Sequence, residues 1–271
     1  MLTDIGANLT HTTFHDDLEA VVARARETGV SNIVVTGTTA LESRLAAEIA
    51  TRLDLYATAG VHPHHARDCG PATIAELREI AQHPRVVAIG ECGLDFNRNY
   101  SPHPDQEKGF VAQVELALEL GMPLFLHSRD AHPRFAQLLR HHKVTRAVAH
   151  CFTGEKEELH AYLDLDLYIG ITGWICDERR GTHLLQLVRD IPAERLLLET
   201  DSPYLTPRDM RPQPKARRNE PAFLAHIART VARALGRPVE EVAAQTTRNA
   251  QKLFGIDESR AAAAEKRTAR A

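Results

Sequence analysis

Acidic and histidine side chains recur at one kind of place in this sequence, within or just after short segments rich in valine, isoleucine and leucine. Imidazole and carboxylate groups together suit Zn²⁺, Mn²⁺, Fe²⁺ or Mg²⁺, and they leave positions open for water. One such residue alone would be interpreted as a structural side chain, but a convergent set predicts a divalent-metal site. The candidates are Asp4, Asn8, His62, Glu91, His127, His150 and Asp201.

The segments that carry these residues have the length and composition of strands buried on both faces, as in a parallel sheet. Helical patterns fill the gaps; in 16–29, for example, apolar residues follow the spacing i, i+3, i+4, i+7. Strand and helix alternate with a period of about 30 residues, which predicts a (β/α)8 TIM barrel with an extra C-terminal helix. The predicted strands are 2–6, 32–37, 54–60, 85–92, 122–129, 146–152, 167–173 and 195–201.

The predicted helices occupy the intervals between these strands and the region after the last one. A doubly wound open sheet is the main alternative fold, but the first strand is not followed by a glycine-rich phosphate loop. We expect one metal-binding barrel domain over 1–256 and a low-complexity, frayed tail over 257–271. The helices are predicted at 16–29, 39–52, 73–83, 106–121, 131–141, 155–164, 182–189, 221–235 and 238–253.

Composition limits the classes of function. Hydrophobic residues make up 43% and charged residues 25%, with a formal net charge of -3, an ordinary globular balance. This charge argues against a protein that coats nucleic acid through bulk positive charge, but not against an enzyme that holds it through metal ions and a few arginines. The sequence has no long apolar run or signal peptide, so we expect a cytoplasmic protein without membrane contact.

A carboxylate that bridges two divalent ions can bring them close enough to act on one phosphodiester. Glu91 is the best candidate for this bridge, because its strand lies among the other strands that carry ligands. Glu199 lies two residues before Asp201, on the same face but deeper, and is expected to orient a ligand histidine. Strand alternation predicts that Cys92 and Cys151 face the helices.

Several stretches resemble the TatD family of metal-dependent deoxyribonucleases, within the amidohydrolase-like TIM barrels. The resemblance covers nearly the whole chain to about residue 256. It implies a 3′→5′ exonuclease for single-stranded DNA, with RNA as a second substrate, acting in DNA repair or nucleic-acid turnover. Mg²⁺ is the expected ion, with Mn²⁺ or Zn²⁺ as alternatives. The matching stretches are TAGVHPH (58–64), AIGECGLDF (88–96), LHSRDA (126–131), AHCFTG (149–154), YIGITGW (168–174), LLLETDSPYL (196–205) and RRNEP (217–221).

The resemblance also implies roles for single residues. Glu91, His127 and His150 resemble the ligands of one metal, with Glu91 as the bridge. Asp201 resembles the acid that binds the other metal or activates water, and His62 resembles the histidine that reaches the substrate phosphate. These correspondences make Asp201, His62 and Glu91 the expected catalytic residues.

The first strand departs from the family pattern. Most of the family has D-x-H-x-H there, whereas this chain has Asp4, Gly6 and Asn8 at the corresponding positions. The departure implies one tight and one weak metal site. We expect Asp4 and Asn8 to line the weak site.

Weaker candidates could bind substrate. Arg129 could bind phosphate or pair with an acid beneath the site. Arg218 and Asn219 could contact phosphate or belong to a solvated loop. Tyr204, together with Trp174, could stack on a base or pack at the rim.

Two other functions remain open. A C–N hydrolase of the same barrel class often bridges its metals with a modified lysine after the fourth strand, and here that position is Glu91. A non-catalytic interaction protein with a degenerate metal site is the second alternative, favoured only by Gly6 and Asn8. We expect a monomer, and we place His64, His65, His103 and His132 at the surface.

Overall fold

A computed structural model describes residues 1–214 and 217–256. Eight parallel strands follow one another in chain order around the sheet. The tail predicted over 257–271 lies outside the described residues. The strands are β1 Leu2–Ala7, β2 Val30–Val35, β3 Tyr56–Ala59, β4 Val86–Asp95, β5 Leu124–Arg129, β6 Ala147–Ala149, β7 Tyr168–Ile171 and β8 Leu196–Leu198.

The segment after β8 pairs with β1, which closes the sheet. Ala7 forms a parallel bridge with Ser202, and the Asn8 amide donates to the Ser202 carbonyl at 2.7 Å. The Asp201 amide donates to the Gly6 carbonyl at 2.9 Å. These contacts join β8 to β1, so the predicted (β/α)8 barrel is confirmed.

Helices connect the strands on the outside of the barrel. None of the helices in 1–214 and 217–256 has the length and apolar character that a membrane crossing needs. The α-helices are α1 Leu18–Glu27, α2 Ala40–Leu53, α3 Pro71–Ile80, α4 His103–Leu120, α5 His132–His141, α6 Lys156–Leu163, α7 Leu184–Leu187, α8 Leu224–Leu235 and α9 Val239–Phe254.

Most element boundaries differ from the sequence prediction by a few residues, and two of the differences have a clear physical reason. The helix predicted over 182–189 is the single turn α7 followed by a 3-10 turn at Val188–Asp190. It stops because Ile191 precedes a proline, which disfavours the helical region, and Ile191 is extended at ψ 120°. Strand β4 runs to Asp95 rather than to residue 92, because it stays paired with β5 up to Arg129.

The apolar core has two layers. Side chains such as Ile5, Phe125 and Leu197 fill the barrel interior, and a larger layer lies between the barrel and the helices. Helix α9 closes the N-terminal end of the barrel, where Leu253 and Phe254 join the interior cluster. The extra C-terminal helix is therefore part of the core.

Phe254→Ala tests the contribution of α9. Phe254 is buried, so we expect its truncation to lower the free energy of unfolding by about 3–5 kcal/mol. Leu41→Ala is the matched control, because Leu41 is exposed on α2, and it should change that free energy by no more than about 0.5 kcal/mol. Urea unfolding measures both, and equal losses would show that α9 does not close the core.

Candidate metal centre

An irregularity in β4 presents Glu91 at the C-terminal end of the barrel. The register between β4 and β5 shifts between Gly90 and Cys92, so Glu91 is an extra residue on its strand. Gly90 has φ +141°, and a Cβ there would lie 2.2 Å from the Phe125 carbonyl oxygen. Only glycine fits this position, which brings Glu91 into a polar pocket.

Three imidazoles meet on one carboxylate oxygen at the floor of this pocket. Glu91 Oε1 lies 2.8 Å from His150 Nε2 and 3.0 Å from His127 Nδ1. His62 Nε2 lies 3.3 Å from the same oxygen. Strands β4 and β5 and the turns after β3 and β6 supply these side chains, so barrel closure brings together residues that are far apart in sequence.

The charges of this cluster depend on one another. Burial would raise the pKa of Glu91, but His150 and His62 outweigh burial and hold that pKa well below its usual range. Burial would lower the pKa of His150, but Glu91 and Glu199 hold it well above its usual range. Burial lowers the pKa of His62 to about 4 despite the nearby Glu91, so His62 is a neutral imidazole at pH 7.

Glu199 lies beneath His150. Its Oε2 is 3.3 Å from His150 Nδ1, and its Oε1 accepts from the Cys151 amide at 2.6 Å. A Cβ on Gly6 would lie 2.6 Å from Oε2, and one on Gly170 would lie 2.4 Å from Oε1. The carboxylate thus fits between two glycines and occupies the space beside residue 6, where the family pattern has a histidine.

Asp201 and Asn8 line the same pocket. Asn8 Nδ2 donates to Asp201 Oδ1 at 2.9 Å. Burial raises the pKa of Asp201 to about 7, although His150 and the Asn8 hydrogen bond lower it. In the absence of a cation this carboxyl group therefore exchanges a proton near neutral pH.

Asp4 does not line the pocket, contrary to the expectation from the sequence. Its side chain has no exposed surface, and its two oxygens accept from the Thr200 amide at 2.9 Å and the Thr200 hydroxyl at 2.6 Å. Burial raises the pKa of Asp4 to about 8, so it is mainly protonated at pH 7. Asp4 lies in the middle of β1, and its hydrogen bonds connect β1 to the end of β8.

His64 and Asp95 belong to the site but were not predicted from the sequence. His64, expected at the surface, lines the pocket with its Nε2 2.7 Å from Asp95 Oδ2. Asp95 Oδ2 lies 3.7 Å from His127 Nε2, too far for a hydrogen bond. Glu91, Gly93 and Asp95 alternate along β4, so they would have shared a face had the strand been extended to residue 95.

The pocket mouth contains only some of the predicted substrate contacts. Arg129 and Tyr204 line it, as does Trp174. Arg129 forms no ion pair among residues 1–214 and 217–256, so the pairing with an acid beneath the site is absent there. Cys151 also lines the pocket rather than facing the helices, because its φ of +47° breaks the alternation of β6.

Arg218 and Asn219 do not line the pocket that contains Glu91, so their contact with substrate stays a prediction. Arg218 pairs with Asp17 at 2.7 Å and with Glu220 at 2.8 Å. Asn219 is buried and donates to the Thr200 and Tyr204 carbonyls at 2.8 and 2.7 Å. The contacts of both residues hold the loop after β8 in place. The Asn219 hydrogen bond to the Tyr204 carbonyl positions Tyr204 at the pocket mouth.

The donor set fits a divalent cation. His62, Glu91 and His127 each offer a ligand atom, and these atoms lie within 4.8 Å of one another. His127 Nε2 is buried and has no hydrogen-bond partner among the described residues, as expected of an imidazole that faces a cation position. His150 contacts the same Glu91 oxygen and can complete the set.

Gly6→Ala tests the space that Glu199 needs. The new Cβ would overlap Glu199 Oε2 and the Phe125 ring, so we expect the free energy of unfolding to fall by about 1–3 kcal/mol. Gly70→Ala is the matched control, because a Cβ there meets no atom within 4 Å. The control should lose no more than about 1 kcal/mol in urea unfolding. A harmless Gly6→Ala would contradict the packing of Glu199 described above.

Asp4→Asn tests the proton on the buried acid. The folded pKa of about 8 exceeds the unfolded value of about 3.9, so wild-type stability falls as pH rises between them. Asparagine cannot ionise. Between about pH 5 and about pH 7 the variant should therefore gain on the wild type by up to about 1.4 kcal/mol per pH unit. Urea unfolding at both pH values measures this gain. A stability difference that does not vary with pH would mean that Asp4 is ionised in the folded protein.

Comparison with known proteins identifies the family of this chain. Residues 3–255 match the family model described as TatD related DNase. A Pantoea ananatis protein named 3′-5′ ssDNA/RNA exonuclease TatD is 57% identical over 257 residues, covering 93% of this chain and 99% of that protein. A Klebsiella pneumoniae protein of the same name is 54% identical, covering 94% and 98%. The crystal structure of YJJV, a TatD homolog from Escherichia coli, matches with TM-score 0.86 and 28% identity over 94% of this chain and 98% of that one. The chain thus belongs to the TatD-related DNase family.

Proposed function

We propose that this chain is a metal-dependent 3′→5′ exonuclease that removes nucleotides from single-stranded DNA and RNA. The observation that carries the proposal is the convergence of three imidazoles on Glu91 Oε1 in a pocket that also contains Asp201. The Pantoea and Klebsiella relatives are more than half identical to this chain over nearly their whole length. Their names support single-stranded DNA and RNA as substrates and the 3′→5′ direction of cleavage. We also propose that the chain acts as a monomer in the cytoplasm. Its role there would be DNA repair or nucleic-acid turnover.

Glu91, His127, His150 and Asp201 would hold the divalent cation, which we propose to be Mg²⁺. We assign the tight site to Glu91 and the two histidines, with a weaker site at Asp201 and Asn8. A bound divalent cation supplies a hydroxide at neutral pH and neutralises charge on the phosphate. Because Gly6 and Asn8 stand where the family pattern has two histidines, the weaker site would lack two imidazole ligands, and the Asp201 carboxylate would be its main protein ligand.

The chain's own side chains would position the substrate around this centre. Asp201 can accept a proton near neutral pH, which suits a general base for the attacking water. His62 is a neutral imidazole beside Glu91 and can donate a hydrogen bond to a phosphate oxygen. Arg129 lines the mouth as a cation without an ion pair among the described residues, and it can bind the same phosphate or the next one.

The pocket mouth favours a flexible single strand. Tyr204 is 51% exposed, and its ring meets the His11 ring edge-on at 5.7 Å. Trp174 and Arg180 line the same pocket, and the Arg180 guanidinium lies 4.2 Å from the centre of the Trp174 ring. Aromatic faces stack on unpaired bases without regard to sequence. A base paired in a duplex could not reach the pocket floor without unstacking.

Glu91→Gln and His150→Gln test the catalytic assignment. Each removes one contact of the convergent set, so kcat/KM on a 5′-labelled single-stranded oligonucleotide should fall by at least about 100-fold with Mg²⁺ or Mn²⁺. The wild-type products should shorten from the 3′ end, and a duplex with no overhang should be cut more slowly. His141→Gln is the matched control, because His141 is an exposed residue of α5, and it should keep full activity.

The same assay separates the alternatives. Full activity of Glu91→Gln would overturn the site assignment. Hydrolysis of amides without hydrolysis of DNA or RNA would favour a C–N hydrolase. Calorimetry with Mg²⁺ and Mn²⁺ addresses the third function, since an interaction protein with a degenerate site would show no saturable binding of either ion.

A further inference from the structure

A second group of metal-type ligands lies outside the pocket. Cys176 ends the 3-10 turn Gly173–Cys176 after β7, Asp209 lies in the loop after β8, and His226 is in the first turn of α8. One ligand atom from each of the three lies within 4.8 Å of the others. None of these residues lines the pocket that contains Glu91. The group is therefore separate from the proposed hydrolytic centre.

The three side chains lie close together. His226 Nε2 lies 2.7 Å from Asp209 Oδ1. Cys176 is buried, and one ligand atom of each residue lies within 4.8 Å of those of the other two. Helix α8 carries His226, and the 3-10 turn after β7 carries Cys176, so two of the three ligands belong to regular structure.

We propose that Cys176, Asp209 and His226 form a second cation site, which takes Zn²⁺ with a water as the fourth ligand. Thiolate, imidazole and carboxylate in one set favour zinc over magnesium, because magnesium prefers an all-oxygen environment. Zinc ligands at about 2.0–2.3 Å in tetrahedral geometry are about 3.5 Å apart. The 2.7 Å between His226 and Asp209 would widen slightly on binding.

The proton balance of binding is simple. Burial raises the pKa of the Cys176 thiol to about 12, so the thiol keeps its proton in the absence of a cation. Zinc bound to a thiol replaces that proton, which leaves to solvent as the S–Zn bond forms. One positive charge opposes the ion, since Arg233 Nη2 lies 4.0 Å from Asp209 Oδ2. Arg233 is 74% exposed, and water screens much of its charge.

A cation bound by Cys176, Asp209 and His226 would restrict movement of the pocket mouth. The loop after β8 carries both Tyr204 and Asp209, and Arg208 lies 3.6 Å from the buried Asp177, the residue after Cys176. Zinc would connect this loop to the turn after β7 and to α8. We therefore assign the site a structural function, which raises thermal stability and limits movement of the mouth.

Cobalt titration tests the proposal without using activity. Full-length protein stripped with a chelator should give a thiolate-to-cobalt charge-transfer absorption band on addition of Co²⁺, and Zn²⁺ should abolish the band by displacement. The band should vanish in Cys176→Ser and require at least about tenfold more Co²⁺ in His226→Gln. Cys151→Ser is the matched control, since that thiol lines the other pocket, and it should keep the band.

Every outcome decides the question. A band that is absent from the wild type, persists in Cys176→Ser or disappears only in Cys151→Ser would overturn the site. The first of these results would leave a hydrogen-bonded cluster without an ion. If Cys176→Ser fails to fold, His226→Gln and Asp209→Asn decide instead. Glu91→Gln should retain the band, so failure of this site and failure of the proposed nuclease are distinguishable.

Discussion

The site depends on one buried carboxylate oxygen. Three imidazole nitrogens lie within 3.3 Å of Glu91 Oε1, and such a cluster is stable only if charges on opposite partners compensate one another. The four segments that bring these residues together belong to four different units of the barrel. Any distortion that separates β3, β4, β5 or β6 would leave a buried charge without its partner. The geometry of the centre and the closure of the barrel are therefore one constraint.

Three glycines leave space that the site needs. Gly6 and Gly170 leave the space in which Glu199 contacts His150, and Gly90 permits the close approach of β4 to β5. At residue 6, where the family pattern has a histidine, any side chain would overlap the Glu199 carboxylate, so glycine keeps the carboxylate in contact with His150.

The alternation of short apolar segments and helical stripes was sufficient to predict the barrel, because both patterns are local. It was also sufficient to place Glu91, His127 and His150 at one end, since parallel strands in a barrel all end on one side. The direction in which each side chain points from its strand was harder to predict. Asp4 was assigned to the pocket because of its position near a strand end, whereas its side chain reaches sideways to Thr200.

Long-range partners could not be predicted from local patterns. Arg218 lies in a polar loop whose composition suits phosphate binding, but its acids are Asp17, about two hundred residues earlier, and Glu220. His64 was placed at the surface, whereas it pairs with Asp95, which lies beyond the predicted end of β4. In both cases the missing information was which charged group lies opposite, and only the folded chain supplies it.

The same charges bear on how the centre would take up a cation. Burial opposes charge on His150 and Glu91, yet each holds the other ionised, so a proton on the imidazoles occupies the place of a positive ion. A divalent cation and these protons compete for the same nitrogen lone pairs. Glu199 contacts the other nitrogen of His150, and this contact would keep the ring oriented whether a proton or a cation occupied the nitrogen that faces Glu91. The orientation of the His150 ring would then not depend on whether the ring carries a proton, and a side chain that binds a metal ion reversibly needs this property.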